Sequence, residues 1–218
     1  MFTFWLSALA MGWTMIVNPC GCAHVGAFCS TRISPKNRLL TFRMLLSYTF
    51  AGIVGGGVTA TALYVLSIPM SRQFGLVLFV SAGILCVARE LCALPIPLLE
   101  LRRQTRWRWF GSGPSSPNAA MWALDVGSVF ATWLTLSGAW AMAAWVLWRQ
   151  NLLEGIVGFG VFWLGRSLPH WLDSRLVNEI ASIHPFVAQV RGSLPIIRLI
   201  HGAAVAVLLG SVVIYQIS

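Results

Sequence analysis

Between Phe2 and Cys29 the chain has no Asp, Glu, Lys or Arg, and apolar runs of similar length recur to its end. About 20 such residues cross the hydrocarbon core of a bilayer. Lipid offers no partner to a backbone amide, so runs of this kind fold as helices that satisfy their own hydrogen bonds. Only 10% of the 218 residues are charged and 57% are hydrophobic, where a soluble domain carries roughly a quarter charged residues. The pattern predicts an all-α integral membrane protein with six transmembrane helices, at 3–29, 44–68, 74–99, 119–147, 151–166 and 195–217.

The basic residues set an expected orientation. Twelve lie in or at the ends of three connections: Arg32, Lys36, Arg38 and Arg43; Arg102, Arg103, Arg106 and Arg108; Arg166, Arg175, Arg191 and Arg198. The other two connections hold only Arg72 and Arg149. The positive-inside rule places the first set in the cytoplasm and both termini outside. The net charge of +9 thus belongs to loops, and no basic stripe or motif for nucleic acid accompanies it. The uncharged start, Met1 to Trp5, does not resemble a cleaved signal peptide. Gly111 to Pro117 reads as a flexible midpoint. Residues 1–110 then form a first three-helix half, 111–118 a linker and 119–218 a second half. Within the second half, 167–191 places Leu168, Trp171, Leu172, Leu176, Ile180 and Ile183 at helical spacing, as in an amphipathic helix on the cytoplasmic membrane surface. His170 and His184 fall there and read as interfacial residues. Gly52 and Gly56 make a small-xxx-small pair suited to close helix packing.

The first span is the unusual one. It contains Asn18-Pro19-Cys20-Gly21-Cys22-Ala23-His24 where lipid favours plain aliphatics. Pro19 has no amide hydrogen and breaks the hydrogen-bond ladder, and such a break persists where protein or water re-satisfies the backbone. Span three adds Arg89, Glu90 and Cys92, and span four adds Asp125. At 1.5 Å per residue these groups fall at similar depths, which predicts one buried polar layer and an Arg89–Asp125 bridge. Intramembrane ionisable residues are costly and face the interior. Three chemistries fit the layer. Cys20 in a broken helix, near half-helix amides, is a candidate exchange thiol, with Cys92 as a depth-compatible partner and Cys22 nearer in sequence. Cys20, Cys22 and His24 are alternatively candidate ligands for a soft ion such as Cu(I). Cys29 and Cys86 read as small buried hydrophobes.

Asn18-Pro19-Cys20-Gly21 resembles the first-helix motif of the cytochrome c biogenesis and thiol-disulfide interchange membrane family. The resemblance implies six core helices in a 3+3 inverted repeat. It further implies a bacterial inner-membrane site and passage of reducing equivalents from cytoplasmic thioredoxin to a periplasmic client, with one redox cysteine in the first helix and one in the fourth. Cys20 carries over; span four has no cysteine, and Ser137-Gly138 stands where the second thiol is expected. Either Cys92 takes the role of the second thiol, or the chain is a divergent member that has lost the chemistry. The family includes a methylamine-utilisation accessory branch that supports maturation of an amine dehydrogenase. The wider fold is similar to that of amino-acid and metal exporters. The expected function is a membrane thiol relay or redox accessory for exported proteins, with no resident cofactor. The alternatives are a transporter of a small solute or soft metal, and a non-catalytic assembly factor.

Overall fold

A computed structural model describes residues 2–15, 38–97, 115–127, 136–176 and 192–217. These form seven α-helices and, among the described residues, no strand: α1 (Phe2–Thr14), α2 (Arg38–Ser67), α3 (Arg72–Leu91), α4 (Ser116–Gly127), α5 (Gly138–Arg149), α6 (Leu152–Leu176) and α7 (Leu194–Ile217). Among the described residues three segments are long and apolar enough to cross a membrane: Arg38–Ser67, Arg72–Leu91 and Leu194–Ile214. The expected six is therefore met in part. The described portions of spans one and four are short, and α6 carries Glu154, Arg166 and His170 along its length. Large apolar side chains also crowd the exterior, among them Phe50, Val77, Leu153 and Ile214 at 63–70% exposure. An apolar exterior on this scale marks a membrane-associated protein.

Helix α5 lies at the centre. Nine of its residues are buried, from Gly138 to Trp148, and α1, α2, α3, α6 and α7 all pack on it. A helix apolar on every side belongs in the core. Around it Phe4 stacks on Trp145 at 4.2 Å, and Phe79 stacks on Trp148 at 5.4 Å. A second cluster joins Met44, Leu45, Tyr48 and Ala51 of α2 to Ala119, Trp122, Ala123 and Val126 of α4 and to Trp163 of α6. The other packed pairs are α1 on α6 and α7, α2 on α4 and α6, and α3 on α7.

Two expected elements are corrected. Span four is not one helix: its described residues form α4 and α5 separately, and Ser137-Gly138 is the start of α5. Residues 167–176 are not a separate surface helix but the continuation of α6, with Pro169 inside it. The helix persists because its far end has partners on α2. His170 is 2% exposed and sits edge-on to Tyr48 at 5.3 Å. The Trp171 indole donates to Thr49 Oγ1 at 3.0 Å. His170 is thus a core residue, not an interfacial one; His184 lies outside the described residues. Span three ends early, at Leu91, where Ala93 turns left-handed (φ 52°) ahead of Pro95 and Pro97.

Small residues set the helix distances. A side chain on Gly12 would overlap the Phe162 carbonyl, and one on Gly165 would overlap that of Leu9, so α1 and α6 meet backbone to backbone. Gly52 receives the Trp163 indole, and Gly56 abuts Phe159. Gly12→Ala is expected to lower stability by about 1–3 kcal/mol, the usual cost of overpacking. Gly57→Ala, where the nearest atom stands 3.9 Å away, serves as the neutral control. Thermal unfolding in detergent compares the two, and equal loss would rule out the backbone contact as the cause.

Candidate functional site

At 1.5 Å per residue, 12-residue α5 is about 18 Å long, well short of the roughly 30 Å of a bilayer core. Its C-terminal end is held at a loop. Arg149 pairs bidentately with Glu154 at 2.7 and 2.8 Å. Gln150 donates to the carbonyls of Ser67 and Met70 at 3.0 and 2.8 Å. Its N-terminal end is therefore deep inside the protein. The first amides of a helix have no partner within it, and the Ser137 side chain makes no cap bond.

Two other helices supply the acceptors. Glu90 Oε1 on α3 accepts from the Ser137 amide at 3.0 Å. His201 Nε2 on α7 accepts from the Gly138 amide at 2.7 Å. That bond fixes the imidazole tautomer: Nε2 is the bare nitrogen, so the neutral ring carries its proton on Nδ1. Nδ1 then donates to Thr14 Oγ1 on α1 at 2.6 Å. The Thr14 hydroxyl in turn donates to the Met11 carbonyl at 2.8 Å. One chain of hydrogen bonds thus ties α1, α7 and the start of α5.

Glu90 carries the charge of the layer. Its side chain is fully enclosed, and it accepts from Arg89 Nη1 at 2.5 Å. Arg198 Nε lies 3.8 Å from its Oε2. Arg89 also donates to the Ile96 carbonyl at 3.1 Å, which folds the proline segment back onto the helix end. One turn from Glu90, on the same face of α3, the Cys86 thiol donates to the Ser137 carbonyl at 3.5 Å. Cys86 and Glu90 thus hold the two sides of one residue.

Several expected site residues are placed differently. Asn18, Pro19, Cys20, Gly21, Cys22 and His24 lie outside the described residues. Arg89 engages Glu90, and no Arg89–Asp125 ion pair occurs among the described residues. Asp125 is half-buried on α4, which packs on α2, whereas α3 packs on α5 and α7. Cys92 caps the end of α3 and is exposed, while Cys86 is buried. The sequence pattern did not mark Thr14 or His201 as site residues, and it gave Cys86 a packing role and Arg198 a place among the loop cations. His201 carried a usable signal, as an ionisable residue inside an apolar span. Among the described residues no three His, Cys, Asp or Glu side chains form a metal cluster.

No family model matches this chain, and no curated protein or solved structure matches it. The layer therefore has to be read from its own chemistry.

His201→Ala removes the acceptor of a buried amide and the donor to Thr14. The expected loss is about 1–3 kcal/mol, the cost of leaving a buried group unsatisfied. Glu90→Ala is expected to cost more, because Arg89 and Arg198 also lose their counter-charge. Thermal unfolding of both variants in detergent checks the order; a neutral His201→Ala would exclude the cap.

Proposed function

We propose that this protein is an inner-membrane thiol-disulfide relay that supports maturation of exported proteins. In this reading six spans form two three-helix halves, 1–110 and 119–218, in inverted repeat, with basic loops in the cytoplasm and termini outside. The helix pairing supports the repeat. Span one packs on spans five and six, as span four packs on two and three; span two meets five, and three meets six. Exchanging the halves leaves those six pairings unchanged, while span four alone meets the other two spans of its own half.

The observation that carries the relay reading is the Cys86 thiol on the Ser137 carbonyl. It supplies sulfur at the interruption of span four, which has no cysteine of its own. Cys86 is therefore the better partner for Cys20 than exposed Cys92. Chain connectivity allows it: Cys20 follows Met15 by five residues, a reach of at most about 18 Å, and Met15 directly follows Thr14 of the layer. In the relay a thioredoxin-type dithiol reduces a Cys20–Cys86 disulfide and is itself oxidised. The two thiols then pass two electrons and two protons to a disulfide of an exported client, and their own S–S bond re-forms.

A transporter is the second reading. Glu90, Arg198 and His201 at the buried end of a half-length helix favour it, since discontinuous helices place solute and proton sites at that depth. A non-catalytic assembly factor would need neither thiol.

Thiol trapping in isolated membranes tests the relay. Alkylation and peptide mapping are expected to find a Cys20–Cys86 disulfide. It should disappear on adding thioredoxin with its reductase and NADPH, and should not form in Cys86→Ser. A disulfide that survives in Cys86→Ser but not in Cys92→Ser would return the partner role to Cys92. If no cysteine pairs with Cys20, the relay fails.

A further inference from the structure

Arg166 stands on α6 at nearly the depth of the polar layer, across α1 from it. Gly12 of α1 abuts the Arg166 backbone, and Thr14, two residues on, reaches His201. Arg166 is 1% exposed. Its Nε, Nη1 and Nη2 have no hydrogen-bond partner among the described residues. Its guanidinium lies over the Trp163 ring, 5.4 Å from the centroid. The Trp163 indole Nε1 is likewise buried without an acceptor. Tyr48 borders the same indole at 5.5 Å.

Every unsatisfied group of this pair is a donor: the guanidinium has five N–H bonds, the indole one, and neither side chain can accept. Arginine cannot escape the cost of burial by losing its proton. A buried, unpaired charge is costly, and in a membrane protein it marks a site. What such a pair lacks is an acceptor bearing negative charge. One fixed cation calls for one negative charge, because a phosphate dianion would leave an excess in a low-dielectric interior. The planar fork of the guanidinium matches a carboxylate bidentately. The side chains beside the guanidinium, Trp163 and Tyr48, are aromatic, so a body attached to the carboxylate meets rings and not charges.

We propose that Arg166 and Trp163 bind the carboxylate of a small, monoanionic organic acid with an apolar body. The site is separate from the thiol chemistry and does not rest on it.

The test uses the full-length protein in detergent at constant ionic strength, with benzoate, acetate and inorganic phosphate as probes. Benzoate is expected to raise the thermal midpoint by several degrees near saturation, as a ligand specific to the folded state does. Acetate should act more weakly and phosphate not at all. Arg166→Gln should abolish the benzoate shift. Trp163→Phe keeps the ring but removes the indole N–H, and should weaken benzoate several-fold; this arm stands even if Arg166→Gln does not fold. No benzoate shift in the wild type, an equal shift with phosphate, or an unchanged benzoate affinity in Trp163→Phe would overturn the proposal.

Discussion

A helix that starts in the interior must find acceptors for its first amides without water, and α5 is such a helix. Its two leading amides, those of Ser137 and Gly138, are satisfied by Glu90 and His201. Unmade bonds there would cost about 1–3 kcal/mol each, so the capping contacts fix more than local geometry. Because the acceptors come from α3 and α7, the start of α5 becomes the point where those helices, and α1 through Thr14, are tied together.

The electrostatics follow from this arrangement. Glu90 accepts an amide at the positive end of a helix dipole. Arg89 and Arg198 complete its neutralisation from a more exposed side. His201 meets the same dipole with a bare nitrogen and is held neutral by the bond it accepts. A charged group and a neutral one thus share a single helix end, and the Cys86 thiol is drawn to the same turn. The opposite end of α5 is closed by Arg149, which lies over Trp145 and Trp148 as well as on Glu154.

Much of the architecture was legible in the sequence. The spans at 44–68 and 195–217 differ from α2 and α7 only by a few residues at their ends, because unbroken apolar runs leave a chain little choice but helix. Gly52 and Gly56 lie against Trp163 and Phe159, as the spacing of small residues predicts. The site was legible only in outline. Glu90 stood out as a carboxylate in an apolar span. Cys86 did not, because buried cysteine is usually plain packing and its contact lies 51 residues away at Ser137. Asp125 stood out equally well but belongs to a helix that packs elsewhere.

The sequence by itself determined that this chain is helical, that its exterior is apolar and that charged groups inside it must be few. Those outcomes depend on local composition and on the absence of water for the backbone. Only the tertiary structure decided that span four is divided at Ser137, that α6 runs on through Pro169, and that Glu90 and His201 converge on one helix end. Each depends on a partner distant in sequence. Periodicity can show that a residue faces inward, but which helix stands opposite it is settled by packing.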